Sequence, residues 1–359
     1  MLEIENTSSF NTDQLVPGND YDYVTRTSLN QGVLKTTGFV NKENINSAGT
    51  WSLGLLQMDF FYRRKPWYAG QFIRKITPKI EIKDSAALFF TTLLNKQKAR
   101  LLSVLVRDVD AVFRSTKVKL PTRNGEIDFD FMESFISELE AQRVAALRDY
   151  LRLNGLDNYE LSAEELDAFR RFGDFRDKDW GTYKISDLFE KINVKKLPYK
   201  AKELPKHPTD DYILPCLTSS FQNQGLNYFA PKNGTTVLKN VISIPSNSDV
   251  YRAYYQSRDF TVLSDAYAVR WKSDKVGISP NHYLFMVMCI NKVTDLPIYS
   301  YKNKLGGWSV VREKYIRLPK NDGKIDFRFM ESFISAIKKL IIKDIVLYSQ
   351  QKNNNDKVE

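Results

Sequence analysis

Few residues in this chain are of a type and spacing that would support covalent or metal chemistry. Cys216 and Cys289 stand alone in apolar stretches, and His207 and His282 have no second ligand at metal spacing. A disulfide framework or a zinc site needs several such residues at short, regular separations, so neither is indicated. The N/D-P-P-Y/F methyltransferase tetrad, the G-x-x-x-x-G-K-S/T phosphate loop and the G-x-S-x-G elbow are all missing. Glu81-Ile82-Lys83 has the E-x-K spacing of a metal-dependent nuclease strand. That tripeptide is common and stands without an acidic partner at a proline-aspartate, so the nuclease is kept only as a rival reading.

Amides, hydroxyls, cations and aromatics are plentiful in short clusters, and their chemistry is recognition. "VTRTSLNQGV" brings together Arg26, Ser28, Asn30 and Gln31, and "LTSSFQNQGL" brings together Ser219, Ser220, Gln222, Asn223 and Gln224. Amide side chains can read adenine bidentately, although N-Q-G is equally the composition of a plain turn. "FYRRKPWYAG" concentrates Arg63, Arg64, Lys65 and Trp67, and "VYRAYYQSR" concentrates Tyr251, Arg252, Tyr254 and Tyr255. Such clusters suit phosphate binding and groove insertion, or else mark a strand edge with its cations reaching into water. "KLGGWSVVREKY" adds Lys304, Trp308 and Arg312, and Arg114 holds the place of Arg312 earlier in the chain. These two arginines are candidates for phosphate contact or for pairing with a carboxylate. The whole chain carries 53 Lys and Arg against 43 Asp and Glu, a formal net charge of +10. That balance fits a polyanionic partner.

The elements that must position these clusters occur twice. "LPTRNGEIDFDFMESFIS" begins at Leu120 and "LPKNDGKIDFRFMESFIS" at Leu318, an offset of 198. Upstream, Asn30-Gln31-Gly32 faces Asn223-Gln224-Gly225 at an offset of 193. The difference fits within loops, which tolerate insertion. A length of 359 residues with 42% hydrophobic content also suggests two domains more readily than one. Within each half, β-branched and aromatic runs read as strands: "AGQFIRKITPKIEI", "KNVISIPSN", "FTVLSDAYAVRW" and a final "KVKLP" or "YIRLP". One helix in each half is expected over "DSAALFFTTLLNKQKARLL" and "PNHYLFMVMCINKV".

Each repeated segment reads as a helix entrance. Asn124-Gly125 and Asp322-Gly323 supply a turn, Asp128 and Asp326 are placed as N-caps, and Ile127 and Ile325 staple to Met132 and Met330. Along the second helix Met330, Ile334, Ile337, Ile341 and Tyr348 form an apolar stripe; along the first, Phe131, Phe135, Leu139, Ala146 and Tyr150 form a thinner one ending at Asn154-Gly155. Either each helix packs on its own domain, or the two pack on each other, antiparallel. A Ser162–Glu165 capping box starts a short charged helix between the halves.

A W-x-x-x-x-I-x-D-L-F opening (Trp180 to Phe189), two mixed domains each ended by an LP strand, and an I-D-F-x-F-M-E-S-F-I helix after each together resemble the specificity subunit of type I restriction-modification enzymes. The resemblance implies an α+β fold of two pseudo-symmetric target recognition domains joined by an antiparallel pair of long helices. It places the first recognition domain at 1–122, the first spacer helix and connector at 123–175, the second recognition domain at 176–319, and the second spacer helix with a polar tail at 320–359. The first domain is expected to lack the usual opening. The implied partners are double-stranded DNA, two methyltransferase subunits and a restriction/translocase subunit. S-adenosylmethionine, ATP and Mg would be used by those partners, with no cofactor on this chain. The first helix would be about 39 Å long at 1.5 Å per residue, close to the ~34–36 Å turn of B-DNA, so a bipartite target with a fixed gap is expected. A scaffold without DNA affinity is the other alternative. With no basic leader and no apolar run near 18 residues, a cytoplasmic location without membrane contact is expected.

Overall fold

The structure, a computed structural model, describes residues 1–273 and 276–355, the side chains of 352–355 excepted; the end of the expected polar tail, 356–359, lies outside the described residues. The chain divides into two units, Met1–Tyr150 with Gln351–Glu359, and Leu151–Gln350.

In chain order the first unit holds β1 (Leu2–Asn6), β2 (Tyr21–Val24), β3 (Val33–Thr37), β4 (Thr50–Gly54), β5 (Phe60–Arg63), β6 (Trp67–Ala69), β7 (Ile73–Pro78), α1 (Asp84–Asn95), α2 (Lys98–Leu102), α3 (Val109–Ser115), β8 (Thr122–Arg123), β9 (Glu126–Ile127) and the start of α4 (Phe129–Leu153). An antiparallel sheet runs β1-β7-β4-β5. A smaller one runs β3-β2-β6, with β2 parallel to β6. The interior strand β4, TWSLG, is buried on both faces, and the Ala86, Ala87, Phe90 and Leu94 face of α1 lies in the same core as Trp51, Leu53, Phe60 and Ile76. The single helix expected over 84–102 is broken in two. Asn95 turns its carboxamide onto β5, accepting from Phe60 N (2.9 Å) and donating to Phe60 O (2.9 Å), and α1 ends there.

The second unit repeats this plan with α5 (Ala163–Asp174), β10 (Trp180–Lys184), α6 (Ile185–Leu188), β11 (Phe189–Lys191), β12 (Leu214–Leu217), β13 (Leu226–Ala230), β14 (Val241–Pro245), β15 (Tyr254–Gln256), β16 (Thr261–Val262), β17 (Ala266–Trp271), α7 (Pro280–Thr294), α8 (Trp308–Val311), β18 (Tyr315–Asn321), β19 (Lys324–Ile325) and α9 (Phe327–Asn355). Its sheets, β11-β17-β14-β15 and β13-β12-β16, have the topology of the first pair. Even the irregularity between Tyr23 and Val24 recurs between Cys216 and Leu217.

One strand, β10, has no counterpart among the described residues of the first unit. In the second unit β10 pairs antiparallel with β18 along its length, and Ile185 and Leu188 enter the core behind it. In the first unit Lys79 N donates to Met1 O (2.8 Å) just as Lys272 N donates to Leu188 O (2.8 Å), so Met1 occupies the place of Leu188. The expected KVKLP strand is therefore corrected: residues 117–121 lie in no ladder, and among the described residues no strand pairs with them as β10 pairs with β18.

Both helix entrances form as expected. Asn124 (φ 52°) and Gly125 (φ 85°), like Asp322 (φ 48°) and Gly323 (φ 76°), close two-residue hairpins in which both central residues are left-handed. Asp128 Oδ1 accepts from Phe131 N and Asp326 Oδ1 from Phe329 N, each at 2.9 Å. The helix ends at Gly155 (φ 63°), where Leu156 N donates to Leu151 O, a Schellman arrangement.

The stripes need correction. Met330 and Ile334 are buried in the second unit's own core beside Phe329 and Phe333, with Ile337 packed at its margin, so the start of α9 is a domain helix. Further along, Ile341 and Tyr348 are exposed and Val346 is buried. On α4 the buried residues are Met132, Ile136, Val144 and Leu151, whereas Phe131, Phe135, Leu139, Ala146 and Tyr150 are exposed. The cap and Met132's burial in the first unit's core set the helix rotation, which turns the expected stripe about 100° away from the buried face. The charged connector helix is also more than a connector. Ser162 and Glu165 form the expected capping box, and Glu165 goes on to accept from Ser335 Oγ (2.6 Å) and Lys339 Nζ (2.9 Å) on α9.

Candidate nucleic-acid interface

The N-Q-G repeat is a built turn. Asn30, Gln31 and Gly32 have φ of 46°, 53° and 80°; Asn223, Gln224 and Gly225 have 47°, 54° and 86°. Three successive left-handed residues are costly for anything but glycine, and each turn is accordingly fastened from several sides. Asn30 Nδ2 donates to Val33 O (3.1 Å) and Asn223 Nδ2 to Leu226 O (2.5 Å). Thr25 N bonds Gly32 O (2.8 Å), and Thr218 N bonds Gly225 O (2.9 Å). A Cβ on Gly225 would lie 2.6 Å from Leu217 Cδ1 and 3.0 Å from Thr218 O.

Each turn is also pinned from the sheet below it. In the first unit buried Arg63 on β5 donates to Gln31 O (2.5 Å) and, through Nε and Nη2, to Ser52 Oγ (2.9 and 2.6 Å). In the second unit Gln256 on β15 donates to Gln224 O (3.2 Å) and Ser243 Oγ (3.0 Å). Arg63 is thus a structural residue and not an outward phosphate contact. Desolvation pulls its guanidinium down to about 10, partly opposed by the negative charge of Asp22. The amide N–H groups of Asn30 and Asn223 are likewise engaged by their own turns, while the Gln31 and Gln224 side chains remain exposed.

Other expected contacts also turn inward. Trp67 is fully buried on β6, with Nε1 donating to Thr50 Oγ1 (3.2 Å). Tyr251 is buried against Tyr299, and Tyr255 stacks on Tyr283 with ring centroids 5.5 Å apart. Tyr254 OH donates to Phe221 O (3.2 Å), tying β15 to the loop above. Arg252 is exposed but paired with Asp295 at 2.7 Å. Trp67 is interior because all three residues of β6 are buried, and Tyr251 because the segment before β15 folds onto the core; loop-like composition concealed both. Arg64 faces Asp84 (3.7 Å), and Lys65 pairs with Asp22 (2.9 Å), both beside Gln31 in one open cleft. Ser28 Oγ donates to Asp59. Arg114 donates to Ile4 O (3.4 Å), and Arg312 pairs with Glu313 (3.2 Å). Trp308 rests edge-on against Tyr267, and Lys304 lies over the Tyr301 ring, 4.7 Å from its centroid. Glu81-Ile82-Lys83 lies outside any strand, with Lys83 paired to Glu133 at 3.1 Å, so the strand that the nuclease reading requires is not formed. Among the described residues no group of three His, Cys, Asp or Glu side chains could hold a metal ion.

Part of what remains outward-facing lines two equivalent places. In the first unit the loops that follow β2, β4 and β6 enclose an open cleft of about 580 Å³ bearing Arg26, Thr27, Gln57 and Gln71. In the second, the loops that follow β12, β14 and β16 enclose one of about 430 Å³ bearing Ser219, Ser220, Gln222, Ser248, Asp249 and Asp265, with Tyr301 at its side. The strand ends correspond: Phe72 (φ 61°) after β6 matches Asp265 (φ 56°) after β16. The frame is the same and the chemistry differs. Sequence reasoning found Arg26, Ser219, Ser220 and Gln222 but missed Gln57, Gln71, Ser248, Asp249 and Asp265. Ser248 and Asp249 directly follow the expected strand "KNVISIPSN", whereas Gln71 and Asp265 fall inside runs read as strand and no strand was expected before Gln57.

A duplicated α+β frame carrying two unlike polar clefts, with a capped long helix after each, defines a two-headed recognition protein. The model of the type I restriction modification DNA specificity domain matches residues 1–148 and 177–346, and the chain belongs to that family. It is 20% identical over 285 residues, 79% of its length and 75% of the relative's, to the Type II restriction enzyme BgcI specificity subunit S.BcgI of Heyndrickxia coagulans. Among solved structures it is similar to the Type-I restriction-modification system S subunit from M. genitalium, with a TM-score of 0.50 and 13% identity, covering 99% of this chain and 91% of that one. The HsdS subunit from Thermoanaerobacter tengcongensis matches at a TM-score of 0.31 and 9% identity, over 92% of this chain and 84% of that one. No described helix is long and apolar enough to cross a membrane.

Proposed function

We propose that this chain is the non-catalytic DNA-recognition subunit of a restriction-modification assembly, each unit reading one half of a bipartite duplex target. The observation that carries the reading is the pair of clefts: equivalent strand ends present Arg26, Gln57 and Gln71 in one unit and Ser219, Ser248, Asp249 and Asp265 in the other. Two copies of one frame with identical side chains would read a repeat; unlike side chains suit a target whose two halves differ. Exposed Arg64 and the excess of basic residues supply sequence-independent attraction to phosphate.

On this reading the two long helices, α4 and α9, are the spacers that set the distance between half-sites. The 25 residues of α4 span about 37 Å, close to one turn of B-DNA at ~34–36 Å. Two methyltransferase subunits and a restriction/translocase subunit assemble on the helices in the cytoplasm, bringing S-adenosylmethionine, ATP and Mg, while this chain holds no cofactor of its own.

The test is binding of the full chain, with and without its methyltransferase subunit, to a pool of random duplexes at two salt concentrations. Enrichment of a two-part sequence with a fixed gap, and affinity that falls steeply with salt, is expected. A chain that binds weakly with little salt dependence would be a scaffold. Inserting four residues in both long helices is expected to lengthen the preferred gap; an unchanged gap would refute the ruler.

A further inference from the structure

From the two clefts we infer opposite base chemistries: the first unit reads a guanine through Arg26, and the second reads a base that offers an exocyclic amino group, cytosine or adenine, through Asp265. This rests on the functional reading above and specifies the target class of each cleft.

Arg26 lies on the loop after β2, its guanidinium 5.3 Å from the centroid of the exposed Phe72 ring. Among the described residues no carboxylate lies within ion-pair distance of it, unlike Lys65, Arg74 and Lys98 in the same unit. The ring holds the planar fork by one face and leaves its N–H edge free in a cleft whose other polar groups, Gln57 and Gln71 among them, are neutral. A planar donor fork matches the O6 and N7 acceptors on the major-groove edge of guanine, the commonest specific arginine contact with a base.

In the second unit the residue equivalent to Arg26 is Ser219, and that equivalent to Phe72 is Asp265. Among the described residues no lysine or arginine lines this cleft. Asp249 Oδ1 is engaged by Tyr301 N at 3.0 Å, whereas the Asp265 carboxylate is exposed and, among the described residues, has no cation within ion-pair distance. A free carboxylate facing a duplex is repelled by phosphate, and it is compatible with binding only where it accepts from an amino group, N4 of cytosine or N6 of adenine. At the equivalent positive-φ position the first unit carries the ring that holds its cation, Phe72, and the second carries the carboxylate itself, Asp265.

The experiment is selection of the full chain, together with its methyltransferase subunit, from random duplexes, followed by sequencing, for wild type, Arg26→Ala, Arg26→Gln and Asp265→Asn. Both positions are exposed, so the variants are expected to fold, with circular dichroism as the check. Wild type should enrich a bipartite motif with guanine in one half. Arg26→Ala should lose preference at that guanine, roughly 10- to 100-fold, with the other half unchanged, and Arg26→Gln should move the preference towards adenine. Asp265→Asn should alter preference only in the other half. A two-part motif that keeps its guanine in both Arg26 variants, or in which Asp265→Asn changes nothing, would overturn this inference alone. A wild-type chain that enriches no sequence would overturn the functional reading and this inference with it.

Discussion

The two units hold the same turn by different means, and the contrast separates frame from function. Under Asn30-Gln31-Gly32 the pin is a buried arginine; under Asn223-Gln224-Gly225 it is a buried glutamine, and both meet a serine on the central strand, Ser52 or Ser243. What persists between the halves is the requirement for a donor at that point. What varies freely is the rim, where Arg26 faces Ser219. A second contrast is larger: β10 and Ile185 complete the core of the second unit, while Met1 stands directly at the equivalent of Leu188 in the first. Repeat-equivalent positions can thus be sorted by whether their replacements preserve a bond or change what faces outward.

The largest effect is expected from the second contrast. Ile185 is fully buried, and Ile185→Ala should cost about 2–5 kcal/mol in the second unit. Hydrogen exchange read at β17 should accelerate sharply while exchange at β7 stays unchanged. Equal acceleration at both strands would mean that the two units unfold as one, and the comparison between them would lose its energetic meaning.

The pins come next. Arg63→Ala leaves Ser52 Oγ and Gln31 O without their buried donor and should destabilise the first unit by about 1–3 kcal/mol; Gln256→Ala should do the same in the second. Arg63→Gln should be tolerated far better than Arg63→Ala, since it imports the second unit's solution and removes a desolvated charge. Urea unfolding of the three variants decides this. If Arg63→Gln is as damaging as Arg63→Ala, the two pins are not equivalent.

The caps are closer in magnitude. Asp128→Ala and Asp326→Ala each remove an N-cap acceptor, about 0.5–2 kcal/mol. Asp326 should cost more, because its Oδ2 also holds Arg171 of α5 at 3.1 Å, whereas the partner of Asp128 is the exposed Arg123. Helix content followed by circular dichroism during thermal unfolding should rank them in that order.

How much was legible from the sequence follows the same division. The entrances of α4 and α9 were readable because a cap, a two-residue turn and a staple are local chemistry written in a dozen residues. The N-Q-G loops were visible as a repeat, but base reading and turn remained open, since the choice depended on Arg63 and Gln256, far away in sequence and reached only through the sheet. Trp67 and Tyr251 were misplaced for a related reason. Trp67 sits on a three-residue strand buried at every position and Tyr251 on a segment packed against Tyr299, and composition alone does not say that either side chain turns inward. The stripe on α4 was displaced by one residue because the rotation of that helix is fixed by Met132 entering a core assembled from β1 to α3, which a periodicity count does not contain. Gln57, Gln71 and Asp265 were missed because a rim built from three separated loops leaves no contiguous motif.

The smallest expected effect is the pH dependence of one contact in the second unit, that of α5 with α9. Burial alone would raise the Glu165 carboxyl, but hydrogen bonds from Ser335, Lys339 and the Ser162 backbone outweigh it, and the net position is below the usual carboxylate value. A carboxyl with a lowered folded-state pKa stabilises the fold fully above its unfolded value, and that contribution disappears as pH falls through the folded value. The α5–α9 latch should therefore be intact at neutral pH and loosen only in the acid range, below about 4.3, the ordinary glutamate value. Glu165→Gln keeps an oxygen for Ser335 but forfeits the charge opposite Lys339; at neutral pH the loss should be about 1 kcal/mol or less, and the difference from wild type should vanish on acidification. Unfolding midpoints measured for both proteins at neutral pH and near pH 3 give the slope directly. A difference that persists in acid would assign the latch to packing of Phe169 and Phe172 on Phe333, and not to the ion pair.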